Sequence, residues 1–346
     1  MVGAGLTSMT MGVAMATGNE DWMYLDVESA DMSKYREMVH SHNIMSPMFY
    51  RETLVQHFLS DPNKKGHTLP WDSMENVRVR EGEVSLWAGA NFAGKSALLT
   101  QCMTHWMRTG DKILLISPEF SPELNLARIV QQVIGKTPGK INEADVTAVL
   151  AWLEGRMLIY DAVGQCEVDD LCAVAYFAAE EHSVKQVVVD NLTIIKLSGM
   201  DVNSAQGDLM ASFVQTARQS GLHLHIVCHT RKPQPGEQVS RYNIRGASQL
   251  SDLADNIFLV ERNESKERKL ADLGTTEEER QEIRRQSDTR LHVLKQRHGT
   301  AWIGLAKLYF SPMSMRWYES IKFADRPFKE VVDLAQLGGP LASPQH

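Results

Sequence analysis

Two kinds of hydrophobic pattern alternate along most of this chain. From about residue 72, short runs that are apolar at nearly every position are separated by longer stretches in which apolar residues return every three or four positions. The short runs are Val84–Ala88, Lys112–Ser117, Met157–Tyr160, Gln186–Asp190 and Leu222–Cys228. Uninterrupted Val, Ile and Leu, as in KILLIS and QVVVD, suits strands covered on both faces. Helical spacing marks Lys95–Thr109, Pro122–Ile134, Val168–His182 and Ala205–Ser220. This alternation predicts an α/β domain with a central, mostly parallel sheet flanked by helices. Four further strand-like segments, Ile257–Glu261, Leu291–Lys295, Trp302–Phe310 and Met315–Tyr318, follow with short connections and are expected to extend one sheet edge.

The flanks read differently. Residues 1–19 carry no charge and lack the basic start of a signal peptide, so they are expected to be disordered. Residues 20–71 read as a short N-terminal arm or linker. Within it Phe49–Leu59 has near-helical spacing, and Asp61-Pro62 ends the pattern. Such an arm either packs on a neighbouring subunit or caps its own domain, and both readings stand. The domain is expected to occupy residues 72–325. It carries a charged insertion at about 261–290, where 17 of 30 residues are charged with both signs mixed, as in a solvated helical hairpin or flexible insertion. Residues 326–346 form a C-terminal tail whose end is expected to fray.

Composition narrows the classes. The chain has 346 residues, 43% hydrophobic and 23% charged, within the range of globular domains, and no apolar stretch reaches membrane-spanning length. Lys and Arg number 36 against 43 Asp and Glu, a net charge of −7. That excludes a globally basic nucleic-acid binder and leaves room for a local basic loop. The four cysteines are scattered, with no C-x2-C pair, so buried free thiols are expected rather than a disulfide framework or zinc ribbon.

The most specific chemical signal is Gly89-Ala90-Asn91-Phe92-Ala93-Gly94-Lys95-Ser96, which fits G-x-x-x-x-G-K-[ST] between a predicted strand and a predicted helix. In such a P-loop, glycines allow a tight turn whose backbone N–H groups point at phosphate oxygens, and the helix dipole favours the anion. Gly89, Asn91, Ala93, Gly94, Lys95, Ser96 and Ala97 are therefore the candidate contacts for ATP or another NTP. Lys95 would reach the β- and γ-phosphates, and Ser96 would hold Mg²⁺. A P-loop needs a second carboxylate for the metal, and Asp190 at the end of QVVVD supplies it. Glu119, in ISPEF, is positioned to activate water across the sheet mouth from the γ-phosphate; its alternative role is a cap on the helix beginning near Ser121.

With Lys95, Glu119 and Asp190 in this order and spacing, the chain resembles the RecA-like P-loop NTPases. Among these it is most similar to the DnaB-family (superfamily 4) ring helicases, including mitochondrial Twinkle and the helicase half of phage primase-helicases. Four more segments carry the resemblance. Val227–Pro233 (VCHTRKP) looks like the sensor strand, Ile244–Asp255 (IRGASQLSDLAD) like the R-G-S block with Ala247 in place of Ser, Leu259–Asn263 like the strand end after it, and Lys295–Gly299 (KQRHG) like the K-x-R-x-G element. The match covers about residues 72–320. The charged insertion departs from the family pattern, and there is no zinc-binding cysteine set for a primase.

The resemblance implies an ATP-dependent replicative DNA helicase, hexameric, phage-type and acting in the host cytoplasm on single-stranded DNA at a forked duplex. A primase, loader or polymerase is an expected partner; a membrane is not. It implies that His229 senses the γ-phosphate, against a plain core histidine. Lys295 and Arg297 would act on the nucleotide of the adjacent subunit. Arg262 or Asn263, with Phe310, would flank the base, with core packing an equal reading for Phe310. DNA contact is expected from Lys196 in the loop after Asp190 and from Arg231, Lys232, Arg241 and Arg245 in the basic loop 231–245. Two rival readings share these motifs: a RecA-like recombinase or annealing mediator, and a nucleotide-switched replisome assembly protein.

Overall fold

A computed structural model describes residues 46–59, 65–161, 166–192, 202–230, 247–299, 301–322 and 325–336. Nine strands form its sheet: β1 (Val84–Gly89), β2 (Ile113–Ile116), β3 (Met157–Tyr160), β4 (Gln186–Val189), β5 (His223–His229), β6 (Asn256–Arg262), β7 (Thr289–Gln296), β8 (Gly304–Ser311) and β9 (Arg316–Tyr318). Their spatial order is β3-β2-β4-β5-β1-β6-β7-β8-β9. All pairings from β3 to β6 are parallel, and those among β6, β7, β8 and β9 are antiparallel. The sequence groups residues 257–261 with the edge extension. The structure instead makes β6 a parallel neighbour of β1, and only the three later strands are antiparallel.

Period-two alternation along the central strands builds the layers. Val84, Leu86 and Ala88 of β1 face one side; Trp87 faces the other. The Trp87 side is covered by α2 (Lys95–Arg108), α3 (Pro122–Ile134) and α4 (Glu143–Leu153), which contribute Leu98, Trp106, Ile129, Val133, Val149 and Trp152. The Val84 side is covered by α5 (Val168–His182) and α6 (Val202–Ser220), through Leu171, Tyr176, Leu209 and Phe213. A short helix, α7 (Ala247–Leu253), packs against α6 and adds Leu250. The result is a sheet between two helical layers, the architecture that strands apolar on both faces require.

The remaining helices are peripheral. The described part of the N-terminal arm is a 3₁₀ turn at Pro47–Tyr50 and α1 (Arg51–Leu59), where Phe58 is 81% and Leu59 77% exposed. The charged stretch forms a hairpin of α8 (Glu264–Ala271) and α9 (Glu277–Arg284). Lys266 anchors it, donating to Asp288 Oδ1 at 2.7 Å and to two backbone carbonyls. Toward the C-terminus, α10 (Lys329–Gln336) packs against α4 and buries Val331. No helix among the described residues is long and apolar enough to cross a membrane.

Candidate nucleotide site

The carboxyl ends of five adjacent parallel strands carry the chemistry. In spatial order, β2 leads to Glu119, β4 to Asp190 and Asn191, β5 ends at His229, β1 runs into the P-loop and β6 ends at Arg262. Parallel register puts these ends on one edge, because Gly89 lies beside both His229 and Val260. Ligands of open α/β sheets bind at this edge, where connections diverge to opposite faces.

The P-loop turn depends on glycine at two places. Gly94 sits at φ +89°, and a Cβ there would stand 3.0 Å from the Trp317 ring. At Gly89 a Cβ would press to 2.7 Å from Val260 O. Between them Phe92 holds φ +61° at the exposed loop tip. Trp317 forms the floor of the turn, and its indole Nε1 donates to Thr289 Oγ1 at 3.1 Å.

Lys95 is buried. Its ammonium donates to Gly89 O and Ala90 O, both at 3.0 Å, and lies 3.2 Å from His229 Nδ1. Burial lowers its proton affinity, while Cys228, Asp190 and Glu119 pull in the other direction. Asp190 is buried with Oδ1 unpartnered within the protein. Burial raises its proton affinity and Glu119 adds to this; the Ser96 hydroxyl, Arg128 and Lys95 favour the ionised form. A buried carboxylate oxygen with no protein partner beside a serine hydroxyl at a helix start is the oxygen donor set a hard cation takes, so these residues fit Mg²⁺.

Asn191 links three of the predicted residues. Its amide donates to Glu119 Oε2 and lies 3.2 Å from His229 Nε2. Glu119 is therefore tied to the site rather than to the helix cap, where Ser121 stands ahead of Pro122. Nothing marks Asn191 in the sequence beyond its place after Asp190. Arg128, on α3, is a second cation that the sequence did not single out; its charge acts on both Asp190 and Glu119.

The other predicted residues divide. Arg262 reaches the loop tip, donating from Nη1 to Phe92 O at 3.0 Å while its Nε pairs with Glu267 of α8 at 2.6 Å. Phe310 packs on the core with its ring 4.8 Å from Trp317. Lys295 and Arg297 come together, but not at this P-loop. Lys295 pairs with Ile257, three residues, or about 10 Å, upstream of Val260 on β6. Its Nζ caps α7 through Ser251 O and Asp252 O at 2.9 Å each. Arg297 donates to Asp252 O at 2.7 Å and pairs with buried Asp255 at 3.0 Å. Asp255 also accepts from Val84 N, tying this pair to the start of β1. Lys196, Arg231, Lys232, Arg241 and Arg245 lie outside the described residues.

Fold and site together give a RecA-like P-loop fold, with Lys95, Asp190 and Glu119 following neighbouring parallel strands. Known proteins agree. Residues 74–235 match the family described as AAA domain. A DNA helicase/primase of Enterobacteria phage T3 is 24% identical across 54% of this chain, which spans only 36% of that relative's length. Two solved structures share the fold at 14% identity, each covering 80% of this chain. One is a DnaB-like replicative helicase studied with primase (TM-score 0.63, 68% of that chain); the other is an ATPase domain (TM-score 0.66, 99% of that chain). Within that class, the fold is the one shared with the DnaB-like helicase and the ATPase domain above.

Proposed function

We propose that the chain is an ATP-driven replicative DNA helicase, working as a hexameric ring that moves 5′ to 3′ along single-stranded DNA and parts the duplex at a fork. The observation that carries this reading is the row of Lys95, His229, Asp190, Asn191 and Glu119 along one sheet edge, with Lys295 and Arg297 held together away from it. Two cations displaced from their own phosphate loop suit a site completed by the next subunit. The exposed apolar residues of α1 suit an arm that docks on such a neighbour. The T3 protein's name and the DnaB-like structure's title, which joins helicase and primase, support DNA as the track and a primase, loader or polymerase as partner. A phage protein of this kind would act in the host cytoplasm.

In this reading the backbone N–H groups of Asn91–Ser96 and the Lys95 ammonium bind the β- and γ-phosphates. Ser96 and Asp190 hold Mg²⁺, whose charge offsets that of the phosphates. Glu119 accepts the proton of the attacking water, and Asn191 keeps its carboxylate in place. His229, between Lys95 and Asn191, registers loss of the γ-phosphate and passes it to the loop 231–245. Lys196, Arg231, Lys232, Arg241 and Arg245 track the strand's phosphates without reading bases. Arg297, with Lys295, stabilises charge at the neighbour's transition state, where such a finger contributes on the order of 10³-fold or more. Arg262 and Phe310 flank the base.

The test is ATP-dependent separation of a forked DNA duplex by the wild type and by Lys95→Ala. Unwinding by the wild type alone is expected. Absence of unwinding alongside ATP-dependent single-strand binding would overturn the motor reading in favour of a recombinase, annealing mediator or nucleotide-switched assembly protein.

A further inference from the structure

We propose that Asp255 is a positioning residue for hydrolysis at the neighbouring subunit's site, its carboxylate fixing the Arg297 guanidinium in the orientation that meets the neighbour's phosphates. The inference rests on the reading of Arg297 as a residue that acts in trans. Asp255 stands between α7 and β6, at the amino edge of the sheet, and its side chain is only 2% exposed. Both carboxylate oxygens are used. Oδ1 accepts from Arg297 Nη1 at 3.0 Å, and Oδ2 accepts from Val84 N at 3.0 Å. The backbone repeats both ties: Asp255 N donates to Val84 O, and Arg297 N donates to Asp255 O, each at 2.9 Å. Asp255 is thus a fixed bracket that joins the end of β7 to the first residue of β1.

The bracket engages only part of the guanidinium. Of its five N–H groups, one goes to Asp255 and one, from Nη2, goes to Asp252 O at 2.7 Å in the last turn of α7. Lys295 Nζ reaches the same carbonyl at 2.9 Å, so both cations are seated on one end of that helix. His298 Nε2, 3.8 Å from Asp255 Oδ1, lies beyond hydrogen-bond reach. The Arg297 side chain remains 34% exposed. Three donors are left for an acceptor arriving from outside, in a planar fork that suits phosphate oxygens. An arginine without an anchor spreads over many rotamers, and that freedom is lost when it closes on a transition state; the bracket removes the loss in advance.

The same contacts keep Arg297 from its own nucleotide. Val84 and Gly89 lie five residues apart on β1, about 16 Å, so a guanidinium tied to Val84 stands at the opposite edge of the sheet from its own P-loop. A second use of the contact would be a latch, in which Asp255 occupies Arg297 and releases it to the neighbour. A latch needs a partner able to let go. Asp255 is buried, has its other oxygen on Val84 and shares a backbone bond with Arg297 itself. The two devices also differ in sign: freeing Arg297 would speed a latched enzyme and slow a bracketed one.

The test compares Asp255→Asn, Arg297→Ala and the double variant with the wild type in ATP turnover and in binding of a fluorescent ATP analogue. Asp255→Asn keeps an oxygen for Val84 N and removes the charge that holds Arg297. Its kcat should fall on the order of 10- to 100-fold, the cost of a misplaced reacting group, while analogue binding stays within about threefold. The double variant should turn over no more slowly than Arg297→Ala, because Asp255 acts only through Arg297; an independent structural loss would multiply the two effects. Unchanged or raised turnover in Asp255→Asn, multiplied losses in the double variant, or a loss of analogue binding that accounts for the whole fall in kcat/KM would overturn the proposal. If Asp255→Asn does not fold, Asp255→Glu is read by the same criteria; failure of both to fold overturns the proposal in favour of a packing role. Arg297→Ala with wild-type turnover sinks the trans reading of Arg297 itself, whereas a slow Arg297→Ala beside a normal Asp255→Asn sinks only the role of Asp255.

Discussion

Lys95 and Glu119 occupy the two ends of one chain of contacts, which runs from the ammonium through His229 and Asn191 to the carboxylate. Lys95→Ala removes the cation and is expected to lose both nucleotide binding and turnover. Glu119→Gln keeps the shape and is expected to retain fluorescent-nucleotide binding while turnover falls by about 10² or more. Stopped-flow binding beside a phosphate-release assay separates the two outcomes. Asp255 is a structural counterpart. It is buried, accepts from Val84 N and holds Arg297. Asp255→Ala should lower stability by about 2–4 kcal/mol in urea unfolding, since one loss leaves a buried N–H unpaired and the other frees a charge. Much of the site could be read from residue order. Lys95, Ser96, Glu119, Asp190 and His229 meet because each follows a parallel strand, and strands are legible as apolar runs. Asn191 was not, because its part is set by which oxygen lies within reach. That depends on how the β2, β4 and β5 ends sit side by side, and no local pattern encodes it.

The central strands matched their apolar runs within one or two residues, and the core helices α2, α3, α5 and α6 were equally plain, since burial on both faces and 3.6-residue spacing are strong local signals. The helices beyond the sequence candidates, α4, α7 and α10, carry weaker ones. For α4 a signal was present: Asn142 accepts from Asp145 N at 2.8 Å, and the Asp145 carboxylate returns to Asn142 N, a capping box spanning Asn142 to Asp145. Asn142→Ala should cost about 1 kcal/mol, read as a shift in the urea midpoint. The direction of β6 could not be read locally, because parallel and antiparallel neighbours present the same apolar run. One strand also carries a pH dependence. On β5, His225 Nδ1 accepts from Trp87 Nε1 at 3.1 Å, so its proton sits on Nε2 and faces Gln186 Oε1. His223 lies against Arg80 O through Nδ1, so its Nε2 accepts from Ser85. Both rings are neutral and fully used. Burial pushes His223 down to about 3 and His225 well below its ordinary value. The unfolded chain therefore takes up protons first as pH falls below about 6.5, and stability is lost from there toward about 3. Between pH 7 and 5 the two histidines together should cost on the order of 3 kcal/mol. His223→Gln should flatten that slope in urea midpoints taken across the range.

At the scale of the molecule, the chain holds the P-loop row of residues and, at a distance from it, a pair of cations. If Arg297 serves a neighbour, Arg297→Ala should bind nucleotide normally and hydrolyse it poorly. Mixing Arg297→Ala with Lys95→Ala subunits should then restore some turnover, because a mixed interface pairs an intact P-loop with an intact finger. Activity that stays at the level of either variant alone would place Arg297 in a purely intramolecular role with Asp255. The three antiparallel strands have a different consequence. Trp317, on β9, floors the turn at Gly94 and is fixed to α2 by Gln101, to which it donates from its backbone N at 2.7 Å across 216 residues of chain. The part of the sequence that matches the AAA domain stops at residue 235, well short of it. A ribosome therefore releases the whole P-loop long before the indole that supports it has been translated. Until that last edge strand folds back, the nascent chain displays the GKS sequence over an unsupported turn, and a truncated chain ending before Arg316 would keep the motif without its floor.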